Sequence, residues 1–195
     1  MIEREYKYRL SKRAYRKIRK NYKSAPTKKL TNTYIETVPP QLIESGVGLR
    51  VRSVDLKYFV TLKHGGSKSK NGWSERQEIE TKISKRLADS ILSGKATVSD
   101  LPSPLPRVID QPGLRLKKLG SLRTERTMIL YQGLLFELDC SRYFQKIECE
   151  LEVEGINPKA LKRCLTTFLK ENGVEGRPEN RSKLQRFMKA LASRK

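Results

Sequence analysis

The sequence predicts an α+β protein built on a closed antiparallel β-barrel, with its polar side turned inward and its apolar side clad by helices. Three observations lead there. Acids and bases recur at every second residue in segments whose alternate positions are apolar, which is the pattern of strands with one ionic and one apolar face. Several acidic strands on one open face would crowd like charges, whereas the same face rolled up meets Arg and Lys from the opposite wall. The links between strands are also too short for repeated parallel crossovers.

The first strand spans about 2–9, where Glu3, Glu5, Lys7 and Arg9 alternate with Arg4, Tyr6, Tyr8 and Leu10. A helix follows from about Lys12 to Tyr22, capped by Ser11. Strands are expected at about 31–37, 48–54 and 57–63, the second placing Arg50 and Arg52 opposite Leu49 and Val51, the third ending on Lys63. The Gly, Ser and Lys rich stretch HGGSKSKNG turns residues 57–80 into a hairpin with a mobile tip, whose return limb carries Arg76, Glu78 and Glu80 at period two. A helix from Ser84 to Ser93 stops at Gly94, and four prolines make residues 98–113 an extended connection. Strands resume at about 114–118, 122–131, 134–140 and 145–154. The last of these puts Glu148, Glu150, Glu152 and Glu154 on one face and Ile147, Cys149, Leu151 and Val153 on the other. Two helices close the chain, Pro158 to Glu171 with Asn157 as cap, and about Glu179 to Ala192.

Composition narrows the chemistry. The 195 residues are enough for one core, and no apolar run approaches the roughly 20 residues of a membrane span. The N-terminus carries acids where a secretory signal would be apolar, and three scattered cysteines make no disulfide framework or thiolate zinc site, so a reducing cytoplasm is expected. A single histidine, His64, nearly excludes His-based triads and metal sites, so any metal must be held by oxygen. The formal charge of +21 points to a phosphate-rich partner. Against that surplus, nine of the 21 acids fall in two-residue alternation on four predicted strands, which marks them as placed rather than solubilising.

The opening Glu3-x-Glu5-x-Lys7 resembles the ExExK signature of the CYTH superfamily, the triphosphate tunnel metalloenzymes, and is closest to small bacterial CYTH domain proteins. The similarity continues in order through LTNTYIET, LRVR, VTLK, SERQEIE, LGSLRTERT, FELDCSRYF, ECELEVEG and RSKLQRF. It implies a single domain over residues 1–195: an eight-stranded antiparallel tunnel that binds a triphosphate along its axis and uses Mg2+ or Mn2+. Glu36 departs from the pattern, since an aspartate is common in that segment. Known members include inorganic and thiamine triphosphatases, class IV adenylyl cyclases and some RNA 5′-triphosphatases.

On this reading the substrate phosphates fall to Lys7, Arg50, Arg52, Lys63, Arg126 and Lys183, with Arg76 and Arg123 as further candidates and Arg9 at the tunnel mouth; an arginine fork matches two phosphate oxygens at once. Carboxylates beside phosphates make sense only with divalent cations between them. Glu3 and Glu5 with Glu148 and Glu150 are the principal metal ligands, supported by Glu78, Asp139 and Glu152. The catalytic assignment is Lys7 together with Glu78 or Glu150, either of which could orient the attacking water. The expected function is metal-dependent hydrolysis of a triphosphate, inorganic triphosphate first. The alternatives are a class IV adenylyl cyclase and a non-catalytic module binding polyphosphate or RNA ends. Partners are expected to be a small-molecule triphosphate or polyphosphate, with nucleic acid on the basic exterior, no membrane, and a monomer or homodimer.

Overall fold

The computed structural model describes residues 1–66, 70–105, 109 and 113–194. Nine strands are described: β1 (Ile2–Leu10), β2 (Thr27–Val38), β3 (Gly48–Val54), β4 (Lys57–His64), β5 (Trp73–Ile83), β6 (Arg115–Tyr131), β7 (Leu134–Tyr143), β8 (Lys146–Glu154) and β9 (Gly176–Pro178). The described α-helices are α1 (Lys12–Asn21), α2 (Lys85–Leu92), α3 (Pro158–Glu171) and α4 (Lys183–Ala192), with a 3-10 turn at Val98–Asp100. The strands hydrogen-bond in the order β5-β4-β3-β2-β6-β7-β8-β1-β9, and β5 also pairs with β1. Eight strands therefore close on themselves as an antiparallel barrel, and β9 is added at β1.

The chain divides into two compact units. One comprises Met1 and residues 30–65 and 77–122, the other residues 2–29, 66–76 and 123–195. In the first, β3 and β4 pair Leu49 with Leu62 and Val51 with Val60, and these four pack with Ile91 of α2 in an apolar cluster. The opposite parity, Arg50, Arg52, Thr61 and Lys63, lies on the reverse face. In the second unit α1 and α3 lie on the apolar face of β1, β7 and β8. Ile18, Phe136, Leu151, Leu165 and Phe168 there are fully buried, and the rings of Phe136 and Phe168 stack at 4.7 Å. Each such side chain contributes about 1.5–3 kcal/mol through burial. Ionic residues are thus forced onto the face that the helices leave uncovered.

Ser11, Ser84, Asn157 and Ser182 cap the four helices, each side chain accepting a backbone N–H of the first turn. Departures from expectation have local causes. The strands expected at 114–118 and 122–131 are one strand, Arg115–Tyr131, which continues through Gly120 at φ 150°. The last helix begins at Lys183 rather than Glu179, since Ser182 forms a capping box with Gln185 that sets its start. His64, expected in the turn, ends β4 and is half-buried. The short β9 has no periodic signature in three residues. Part of the hairpin tip, 67–69, and part of the proline-rich connection lie outside the described residues.

Glu36 anchors the turn after β2. Its carboxylate, 4% exposed, accepts the backbone N–H groups of Thr37, Gln41, Leu42 and Ile43 at 2.8–3.2 Å. Glu36→Ala leaves these donors without an acceptor and should cost about 3 kcal/mol of stability, read as a lower urea midpoint with an unchanged slope. An unchanged midpoint would mean that water replaces the carboxylate without loss.

Candidate functional site

The register fixes which charges meet. Along β1, β8, β7 and β6 the directly opposed residues are Glu5 and Glu154, Lys7 and Glu152, Arg9 and Glu150, Glu137 and Glu152, Asp139 and Glu150, and Arg126 and Asp139. Every one of these lies on the face away from α1 and α3. Two cations bind the acids into a buried knot. Arg126 donates through Nε and Nη2 to both oxygens of Asp139 at 2.8 and 2.7 Å, and also pairs with Glu137 and Glu152. Lys183, the first residue of α4, places its Nζ 2.8 Å from Asp139, 2.5 Å from Glu150 and 3.0 Å from Glu152. The cap on Ser182 therefore acts on the site by fixing where the helix that carries Lys183 begins.

Lys7 links this knot to the strand end. Its Nζ lies 2.8 Å from Glu5 and 3.3 Å from Glu152, and Ser74 of β5 donates to the same Glu5 oxygen at 3.2 Å. The Lys7 backbone is clamped as well, its N–H donating to Gly72 O and its carbonyl accepting from Glu179 N, both at 2.9 Å. Position 72 needs glycine twice over: φ is +84°, and a Cβ would sit 2.7 Å from Lys7 O. On the far side of the knot, Arg186 reaches Glu148 at 2.8 Å and Glu150 at 2.5 Å, while Arg9 reaches Glu148 at 2.7 Å and Glu179 at 3.4 Å.

The charge states follow from this packing. Burial opposes the charges on Lys183 and Lys7, but the surrounding carboxylates outweigh it and hold both ammonium groups above the ordinary lysine range. Burial likewise disfavours ionised Asp139 and Glu152, yet Lys183 and the other cations pull both below the usual carboxylate range. Glu137 moves the other way, because its burial exceeds the pull of Arg126.

Carboxylates still outnumber cations. Glu5, Glu137, Asp139, Glu148, Glu150, Glu152 and Glu179 meet Lys7, Arg9, Arg126, Lys183 and Arg186, which is seven against five. Glu3 and Glu154 group with Glu5 beside them. In a chain of formal charge +21, such a local excess of acid marks a place where an added cation is favourable.

Of the seven acids expected to hold metal, Glu78 pairs with Lys63 and Arg50 in the other unit, and the remaining six fall into three places. Glu3 and Glu5 join Glu154, and Asp139, Glu150 and Glu152 form a second trio; within each the ligand oxygens lie within 4.8 Å of one another. Glu148 instead sits between Arg9 and Arg186. The two trios are not equivalent, since Lys183 already contacts all three members of the second. An oxygen-only ligand set suits Mg2+ or Mn2+, and Glu3, Glu5 and Glu154 provide one, with Lys7 2.8 Å from Glu5.

In the other unit Arg50, Arg52, Lys63, Glu78, Glu80 and Thr61 share one face. Lys63 lies 2.8 Å from Glu78, Arg50 3.6 Å from Glu78, and Arg52 3.2 Å from Glu80. Arg50 Nε is buried and has no hydrogen-bond partner among the described residues, so a donor is held ready for an acceptor. Of the further candidates, Arg76 is half-buried on the same face of β5 as Ser74, whereas Arg123 is exposed and pairs with Arg142 on the apolar side of β6 and β7. Sequence reasoning did not assign Arg186, Glu137, Glu154 or Glu179. Arg186 was within reach of it, three residues after Lys183 and so on the same helix face.

A family model described as the CYTH domain matches residues 1–188. The Hippeastrum protein HpAC1, a proposed adenylyl cyclase described as showing a dominant triphosphatase activity, is similar at 26% identity and a TM-score of 0.88, covering 96% of each chain. A proposed adenylate cyclase of Bacillus halodurans is similar at 26% identity and a TM-score of 0.75, covering 94% of this chain and 95% of its own. The Pyrococcus horikoshii protein PH1819, 19% identical with a TM-score of 0.61 over 96% of this chain and 99% of its own, shares the fold. No curated protein matches the chain in sequence.

Lys183→Met should leave Asp139, Glu150 and Glu152 short of a counter-charge. The expected loss is about 3–5 kcal/mol near neutral pH, measured by urea unfolding. It should shrink as the pH is lowered towards about 4, where carboxylates that have lost their cation take up protons. A loss that does not change with pH would show that packing, not charge, is what Lys183 contributes.

Proposed function

Because the chain belongs to the CYTH domain family, we propose that it hydrolyses a triphosphate-containing substrate, most simply inorganic triphosphate, with the help of a divalent cation. The observation that carries this reading is the surplus of nearly buried carboxylates on the face where Lys7, Arg126 and Lys183 also converge. Acids alone would repel a polyphosphate and bases alone would need no acids; the combination suits phosphates with a cation between them and the carboxylates. The family match over residues 1–188 also supports reading the chain as one domain.

In this proposal Glu3, Glu5 and Glu154 would hold Mg2+ or Mn2+, and the ion supplies neutralisation of phosphate oxygen charge. Phosphate contacts fall to Lys7, Arg126 and Lys183, and further to Arg50, Arg52 and Lys63, with Arg76 beside Ser74 as an additional cation. A triphosphate adds acceptors that compete with the carboxylates for these side chains, so the ion pairs preset the geometry of the donors before substrate arrives. Water attacks the terminal phosphorus, the bridging P–O bond breaks, and pyrophosphate and orthophosphate leave. Glu78 or Glu150 orients that water and accepts its proton. Both Glu150 oxygens lie 2.5 Å from a cationic nitrogen, of Lys183 and Arg186, and Glu78 lies 2.8 Å from Lys63 and 3.6 Å from Arg50.

The cyclase alternative shares every one of these groups. The dominant triphosphatase activity described for HpAC1 supports hydrolysis as the first reading. Neither nucleobase recognition nor cyclisation has a dedicated group among the residues discussed above.

With inorganic triphosphate and Mg2+ or Mn2+, orthophosphate should be released and a chelator should stop the reaction. Glu5→Gln and Lys7→Ala should each lower kcat by about a hundredfold or more, the size of losing one preorganised electrostatic contact, while circular dichroism shows the fold retained. Wild-type rates in both variants would remove these residues from the site. Formation of cyclic AMP and pyrophosphate from ATP, faster than any orthophosphate release, would make the protein a cyclase instead.

A further inference from the structure

From Tyr6 to Ile35 the chain has eleven Lys and Arg and no acid. Only Lys7 and Arg9 of these have been drawn into the site above. The rest of the run is organised by α1, which buries Ala14, Tyr15 and Ile18 against the sheet and leaves Lys12, Arg13, Arg16, Lys17 and Lys20 exposed. Next to it runs α3. Asn21 donates to Asn172 at 2.8 Å, Lys17 donates to Gly173 O at 3.0 Å, and the rings of Tyr22 and Phe168 stack at 5.6 Å. The outer positions of α3 add Lys159, Lys162, Arg163 and Lys170. The two helices thus form one layer whose outer surface presents nine cations. The single acid on it, Glu171, accepts from Tyr131.

This layer lies on the opposite side of β1, β7 and β8 from the carboxylate knot, so its charge does not serve the candidate site. None of the nine cations is ion-paired among the described residues, and an uncompensated surface of this kind is electrostatically costly unless a polyanion covers it. Three kinds of anionic partner can be weighed. A bilayer surface requires apolar anchors beside the bases, and no large apolar side chain is exposed on either helix. An acidic protein is a poor match, since lysine is depleted at protein interfaces. A nucleic-acid backbone needs only Lys and Arg, with hydroxyls as auxiliary donors, and Thr166 and Thr167 stand exposed among the bases of α3.

We propose that the α1–α3 layer is a nucleic-acid docking surface that grips the phosphate backbone without reading bases. At about 1.5 Å of rise per residue the two helices are roughly 15 and 21 Å long, enough to follow about five phosphates spaced about 3.4 Å along one strand. The surface is independent of the hydrolytic reading and would stand if that reading failed.

The test is binding of the full chain to a short labelled nucleic-acid duplex and to a single strand of the same length, by fluorescence anisotropy across a salt series. The logarithm of affinity should fall with the logarithm of salt at a slope of about −4 to −5. The triple variant R13E/R16E/K20E should bind at least tenfold more weakly at low salt and with a slope reduced by about three. Its triphosphate hydrolysis and thermal midpoint should match those of the parent. A control reversing Lys57, Lys82 and Lys95, exposed cations of the other unit, changes net charge equally and should weaken binding far less. Equal losses in the two variants would reduce the effect to net charge and overturn the proposal. So would an unchanged affinity in the first variant, or tighter capture by phosphatidylserine vesicles or long-chain polyphosphate than by nucleic acid.

Discussion

The arrangement depends on charge compensation across one sheet face. Putting Asp139, Glu150 and Glu152 where water barely reaches would be prohibitive for isolated carboxylates, since each buried ion costs several kcal/mol even after relaxation. Lys183 and Arg126 make it tolerable by contacting all or most of the trio, with bidentate geometry on Asp139. The apolar face covered by α1 and α3 and the ionic face opposite it are consequences of the same alternation. A strand that sends Leu151 and Val153 to the helices must send Glu150 and Glu152 the other way.

Compensation also separates the two acidic trios chemically. The trio around Lys183 is nearly closed, because its negative charge is already met by fixed cations, which hold Asp139 and Glu152 ionised. The trio of Glu3, Glu5 and Glu154 lies at the strand ends, with Glu154 exposed. On the proposed reading, the first group holds the cations in place and the second would take the exchangeable ion. Six acids that look equivalent in sequence spacing meet different surroundings, decided by whether Lys183 of α4 reaches them.

Much of this was legible beforehand. The period-two runs at Glu3–Arg9, Arg50–Arg52 and Glu148–Glu154 give the strands and their ionic faces directly, because burial of one face allows no other register. Helix starts were legible where a Ser or Asn cap precedes an apolar pattern. Positions contributed by tertiary packing were not. Arg186 joins the site only because α4 comes back onto the ionic face, and Glu36 turns inward to gather backbone donors from a loop that has no periodicity. The three-residue β9 carries no pattern that could have announced it. Gly72, in a turn rich in glycine, gives no local sign that its carbonyl holds Lys7.

The place of Lys183 in the chain bears on the order of assembly. Strands β1, β7 and β8 are synthesised before the ammonium group that neutralises their acids, so a nascent chain that has emerged only through β9 carries the carboxylates without their main counter-ion. Until the last helix leaves the ribosome, that sheet is held back by self-repulsion from its final packing. Emergence of α4 and neutralisation of the ionic face thus become a single event.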